Sequence, residues 1–156
     1  MIQAPPTDEA VLNRNDTIYR MYLEAVTLDE DDENYLLGRG LSREIVAERL
    51  YRTVPKKFFV TPFLERVKKT FGTEDMLKDC PGFYFDEKQG RYQAKVAYGI
   101  LIPIFDVKGR VRAMQIRRRV DEGLRYVWFT GAKHGGVSAG APIDFIKPET
   151  PKSSAI

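Results

Sequence analysis

At Pro81-Gly82 the apolar residues of this chain change their period, and that change restricts the fold more than any other feature. Upstream the spacing is helical. Ile18, Met21, Tyr22, Ala25 and Val26 fall at i, i+3, i+4, i+7 and i+8, one buried face of a helix that Asn15 or Asp16 is placed to cap. The acidic block "LDEDDE", Leu28 to Glu33, suits the N-terminus of a second helix running through "ENYLLGR", with Gly40 as its stop. Ser42 is a cap for a third helix, "REIVAERL", with Ile45, Val46 and Leu50 on its apolar side; Pro55 prevents simple continuation. Thr61-Pro62 pairs a capping hydroxyl with a proline at the first helical position, Phe63, Leu64, Val67 and Phe71 make the buried face, and Gly72 ends the helix. A short helical turn follows at "EDMLKD".

Downstream of Pro81-Gly82 the pattern alternates. "FYF" and "YQAKVAY" flank "DEKQG" as a hairpin, and "ILIPIFD" reads as a short, nearly continuous apolar strand. "VKG" turns the chain into "RVRAMQIRRRV", and "DEG" turns it again into "LRYVWFT". The expected class is α+β, with N-terminal helices packed on a C-terminal antiparallel β-meander. Residues 1–14 are expected as a flexible lead-in, 15–146 as one domain and 147–156 as a linker or truncated tail. The segment "GAKHGGVSAGAP" reads as a glycine-rich loop.

Composition removes several classes of function. With 156 residues and 43% hydrophobic content the chain is a folded domain. Its single cysteine, Cys80, forms no disulfide within the chain and reads as an inert structural thiol; a zinc site would have to be completed by His134 and acids. The chain has no apolar run of membrane-spanning length and no signal-peptide pattern at its start, so a cytoplasmic protein without a membrane partner is expected.

Net charge is only +3, but it is unevenly spread. From Lys88 to Lys133 eleven Lys and Arg stand against three acids. Five of those arginines lie in "GRVRAMQIRRRV" alone. Alternation puts Val111, Ala113, Gln115, Arg117 and Arg119 on one face and Arg112, Met114, Ile116, Arg118 and Val120 on the other. Neither face is purely apolar, so the first half of the strand is expected to pack and the second half to emerge at the end of the sheet. Arg110, Arg117, Arg119 and, from the next strand, Arg125 then form a basic surface suited to phosphates. Tyr126, Trp128 and Phe129 lie beside it, although Trp128 and Phe129 are expected as core or interface residues. Arginines beside aromatic rings suit a single-stranded nucleic acid, with charge for its backbone and flat faces for its bases. The plain alternative is an edge strand kept soluble by charge.

Three blocks carry a family resemblance. "YLLGRGLSREIVAERLYRTVP" (35–55), then "GILIPIFDVKGRVRAMQIRRRV" and "LRYVWFTGA", resemble in order and spacing the N-terminal part of the RNA-polymerase core of bacterial DnaG-type primases. The resemblance covers roughly residues 16 to 131. The later segment "RYVWFTGAKHGGVSAGAPIDF" is also similar to primase-like proteins of phages and mobile elements. The resemblance implies a subdomain that precedes a TOPRIM module on the same parental chain and helps hold a single-stranded DNA template. Arg110, Arg117, Arg125 and Tyr126 fall on the family's basic and aromatic positions. A helicase is a further partner that the resemblance implies. Gln115 and Ile116 stand where the family has small residues, and Val127, Trp128 and Phe129 replace its Asn-Ser-Pro.

The glutamate and Asp-x-Asp that hold magnesium in a TOPRIM module have no counterpart here. "DED" at 29–31 has the spacing but reads as helix capping. No catalytic residue, metal or cofactor is therefore expected in this chain; magnesium belongs to the separate module, and a primase is expected as the parent. Two other readings compete. A protein-interaction module would use the acidic block near residue 30, which also has the charge to mask the arginines. Gly136-Val137-Ser138-Ala139-Gly140 matches the G-x-S-x-G elbow of serine hydrolases, but the only histidine, His134, precedes Ser138, which is the wrong order for that fold.

Overall fold

The structure, a computed structural model, describes residues 8–119, 125–130, 136, 138–140 and 144. Four helices come first: α1 (Glu9–Ala25), α2 (Glu30–Gly38), α3 (Arg43–Glu48) and, after the two-residue strand β1 (Arg52–Thr53), α4 (Val60–Phe71). A 3-10 turn (Asp75–Asp79) leads into strands β2 (Phe83–Asp86), β3 (Arg91–Ala94), β4 (Gly99–Phe105), β5 (Val111–Arg118) and β6 (Tyr126–Trp128). All pairings are antiparallel, so the expected α+β class holds.

The helix ends show why these segments fold locally. α1 begins six residues before the expected cap. The Asp8 carboxylate accepts from the backbone N–H of Ala10 and Val11, so residues 9–14 are helical rather than lead-in. Asn15 and Asp16 serve instead as anchors inside the helix. Asn15 is buried and its amide donates to the Asp79 carbonyl, while Asp16 accepts from the Val111 N–H at 2.7 Å. α2 ends in a Schellman motif. The Gly40 and Leu41 N–H groups donate to the carbonyls of Leu37 and Leu36, Gly40 has φ +95°, and Leu41 and Leu36 share one apolar cluster. Ser42 caps α3 as expected, accepting from the Ile45 N–H. α4 starts at Val60, one residue before the expected cap at Thr61, and ends at left-handed Gly72.

The expected single meander is in fact two sheets. β2 and β3 form a separate hairpin, and the main sheet has the order β1-β4-β5-β6. Both faces of the main sheet are covered. On one face Leu101, Met114 and Ile116 pack with α1, α4 and the hairpin around an aromatic cluster. There Tyr22 meets Phe63 edge-on at 6.0 Å, and Phe129 lies 5.2 Å from Tyr22 and 5.6 Å from Phe83. Cys80 is buried in the same cluster, where burial raises its thiol pKa. On the other face Ile100, Ile102 and Ile104 pack with Leu36, Ile45 and Val46 of α2 and α3, and Tyr126 and Trp128 border them. Phe129 is thus core, and Trp128 is half-buried at the edge of the second layer.

A β-bulge corrects the expected division of β5 into faces. Ile104 pairs with Ala113 but Phe105 pairs with Val111, so Arg112 is the extra residue. Val111 therefore joins Met114 and Ile116 on the first face rather than Gln115 and Arg117 on the second.

The β4–β5 turn is organised by Asp106, whose carboxylate accepts from the Lys108 and Arg110 N–H groups and from Arg110 Nε at 2.7 Å. Burial alone would push its pKa up, but these hydrogen bonds outweigh burial and hold it below the usual aspartate value. A folded-state value below the unfolded one contributes stability that is present above about pH 4 and is lost as pH falls through the folded value. Acid should therefore lower the urea midpoint of the chain, and Asp106→Asn should lower it at neutral pH while shrinking the difference between neutral and acidic midpoints. An undiminished difference in the variant would assign the acid sensitivity to other carboxylates.

Candidate nucleic-acid interface

Strand register decides where the five candidate residues lie. Arg117 pairs with Ile100 on one side and with Tyr126 on the other, so Arg117 and Tyr126 are direct neighbours on the α2 side of the sheet. Arg125 precedes Tyr126 and is exposed, and its carbonyl accepts from the Arg118 N–H. Arg119 follows at the end of β5. These four residues gather at one end of the sheet, where β5 changes from buried to half-buried side chains, as expected of its second half.

Arg110 is not among them. It lies seven residues from Arg117 along an extended strand, roughly 23 Å away at the usual rise. Its guanidinium is held by Asp106, by Glu9 at 2.7 Å and by Asn13 at 2.9 Å, and its side chain is 12% exposed. It ties the β4–β5 turn to the start of α1. The hydrogen bonds from Arg110 and Lys108 in turn lower the Glu9 pKa.

The acidic block masks one arginine. Asp32, 1% exposed, forms an ion pair with Arg119 and accepts from the Thr53 hydroxyl at 2.5 Å; that hydroxyl accepts in turn from the Asp29 N–H at 2.9 Å. The rest of the block lies at the start of α2, with Asp29 at the N-cap position and Glu30, Asp31 and Glu33 beside Asp32 in the first turn; Asp29 makes no side-chain capping hydrogen bond among the described residues, so "DED" favours the helix through its charge at the positive end of the helix dipole and not through a side-chain cap.

Arg117 has a different partner. Its guanidinium lies 4.6 Å from the centre of the Tyr35 ring, and Arg39 lies 5.9 Å from the same ring. A ring orients a guanidinium without cancelling its charge. Among the described residues no carboxylate pairs with Arg117, Arg39 or Arg125. Tyr35 and Arg39 are thus members of the site that the strand pattern did not reveal. The signal lay in "YLLGR", where Tyr35 on α2 and Arg39 at its C-cap are spaced i, i+4.

Among the described residues no three His, Cys, Asp or Glu side chains form a metal-binding group. Ser138 Oγ accepts from the Gly140 N–H, a local turn contact, and Gly136 and Ser138 lie outside helix and strand; His134 is outside the described residues. Among the described residues no helix is long and apolar enough to cross a membrane.

No protein-family model and no curated protein matches this chain. Solved structures do. The RNA polymerase domain of Mycobacterium tuberculosis primase DnaG, in complex with a double-stranded DNA oligomer with a 6-nucleotide overhang, is similar with a TM-score of 0.60 at 15% identity, over 83% of this chain and 41% of that one. A DnaG primase catalytic domain bound to ssDNA gives 0.51 at 22% identity, over 77% and 38%. The zinc-binding and RNA polymerase domains of Aquifex aeolicus primase give 0.51 at 20% identity, over 81% and 30%. The chain therefore spans well under half of each of these solved primases. At these identities the likeness is one of fold: most of this chain has the fold of part of the DnaG RNA polymerase domain.

Proposed function

We propose that the chain is the template-binding subdomain of a DNA primase-like replication protein, holding single-stranded DNA for a TOPRIM module on the same parental chain. The observation that carries this reading is the pair Arg117 and Tyr126, adjacent across the sheet, with Arg117 and Arg39 both held on the Tyr35 ring and neither neutralised by a carboxylate among the described residues. Guanidinium groups oriented in this way grip phosphates, and the flanking tyrosine offers a face to a base. Arg117, Arg125 and Tyr126 form the track, Arg119 is held in reserve by Asp32, and Arg110 is assigned to the turn. The chain makes no primers alone in this reading, and a helicase is the further partner of the parent protein. Solved structures of the same fold with ssDNA or DNA bound support a nucleic-acid partner.

The test is fluorescence anisotropy of labelled single-stranded DNA over a range of salt concentrations. Binding that weakens linearly on a log-log plot is expected, at about 0.7 in slope per phosphate contact. Absence of binding at low salt overturns the reading.

Asp32 gives a prediction of opposite signs. Asp32→Ala frees Arg119 for a phosphate, which is expected to raise affinity about fivefold at about 0.1 M salt. It also strips the Thr53 hydroxyl of its acceptor, at a cost of about 1–3 kcal/mol in stability. Anisotropy and urea unfolding of one preparation check both signs.

A further inference from the structure

Past Arg119 the same end of the sheet carries exposed rings with cations over them. Tyr98, which leads into β4, is 52% exposed, and Phe59, at the start of α4, is 73% exposed. The Lys56 ammonium lies 5.0 Å from the centre of the Tyr98 ring, and the Lys57 ammonium 5.1 Å from that of Phe59. Both lysines are exposed, and neither meets a carboxylate among the described residues. The segment they occupy divides two open depressions. One, of about 550 Å³, is lined by Val26, Pro55, Phe63 and Tyr98; the other, of about 360 Å³, is lined by Arg91, Gln93 and Val96. Each lining includes one acid, Asp29 or Asp86, and both include Lys56 and Lys57.

This patch meets the arginine track through Arg119, which Asp32 holds beside Arg117's end of β5. Arg119 lies 5.2 Å from the Tyr98 ring, and its N–H donates to the Tyr98 carbonyl at 3.2 Å. Tyr98 thus bears Arg119 on its β5 side and Lys56 from the segment after β1. An apolar protein partner would desolvate both ammonium groups without pairing them, which is costly. A polyanion with flat bases satisfies the cations and the rings together.

We infer that Lys56, Lys57, Phe59 and Tyr98 form a second subsite for single-stranded DNA, taking the part of the strand that passes Arg117 and Arg119 across the end of the sheet. The inference rests on the reading of Arg117 as a template contact.

The experiment compares wild type, Lys56→Ala/Lys57→Ala and Arg117→Ala/Arg125→Ala, each as the full chain, with a long oligothymidylate across a salt series. All four side chains are partly or fully exposed, so folding should persist, and thermal unfolding checks that it does. The lysine variant is expected to bind about 25-fold more weakly at about 0.1 M salt, with a salt slope smaller by about 1.4, as the loss of two phosphate contacts requires. Phe59→Ala should weaken binding while leaving the slope unchanged, because a ring contributes stacking and no charge. If the lysine variant matches wild type while the arginine variant loses binding, the second subsite is overturned, the arginine track stands, and the exposed rings belong to a protein partner. If the lysine variant loses binding and the arginine variant does not, DNA lies on the lysine patch and the Arg117 reading falls. If wild type binds no DNA, both fall.

Discussion

Single-stranded DNA affinity should fall about 25-fold at about 0.1 M salt in the Arg117→Ala/Arg125→Ala double variant, with a salt slope smaller by about 1.4. The two guanidinium groups are placed by backbone that the variant leaves intact. Arg117 is held in register between Ile100 and Tyr126, and Arg125 is exposed at the start of β6. Neither has a carboxylate partner among the described residues, so their removal breaks no ion pair among those residues. Affinity should therefore fall with little change in Tm. An Arg110→Ala variant is the contrast. It removes three acceptor contacts at the far end of the strand, so it should lower Tm and leave the salt slope unchanged. If Arg110→Ala, and not the double variant, lowered the slope, the track would be on the wrong end of β5.

Gly99→Ala should lower stability and DNA binding together. Gly99 opens β4 opposite Arg118, and its carbonyl accepts from the N–H of Val54, the residue after β1, so the chain on both sides of β4 meets it there. A Cβ at this position would lie 2.8 Å from the carbonyl carbon of Arg117, closer still to its oxygen, and 3.1 Å from the Arg118 Cα. All three are backbone atoms, so no rotamer change relieves the clash and the strands must part. Overpacking of this kind costs up to about 3 kcal/mol, which for a domain of this size is a Tm fall of about 6–12 °C. The strand that moves carries Arg117, so the residual folded protein should also bind DNA less tightly. A Gly99→Ala protein with wild-type Tm would show that β4 and β5 are not in this close register.

Much of this was legible in the chain because it is encoded locally. Ser42 before "REIVAERL" and Gly72 after the fourth helix are punctuation that needs no tertiary context, and both act as expected. The emergence of β5 at its arginine-rich end was likewise written in its alternation. Long-range features were not legible. Asn15 and Asp16 have the chemistry of caps, but Asp79 and Val111, distant in sequence, draw them into the fold, and Asp8 caps instead. The bulge at Arg112 moves Val111 to the opposite face, which strict alternation does not foresee. β1 has two residues, too few to show a period. In the site, charge alone did not separate Arg110, which is committed to Asp106 and Glu9, from Arg117, which is held on a ring. Every arginine in a sequence carries the same charge, and only its acceptors determine whether that charge remains available.

Cys80, the chain's one cysteine, makes the protein a reporter of its own opening. The thiol is buried among Tyr19, Phe83 and their neighbours, and its raised pKa leaves almost no thiolate at neutral pH. A thiol-specific reagent can therefore modify it only when that layer comes apart, so labelling under native conditions gives the opening rate where modification outpaces reclosing and the opening equilibrium where it does not, both without denaturant. A cysteine introduced at an exposed position such as Val107 would react at once, allowing a dye to be attached there while the native thiol stays unmodified.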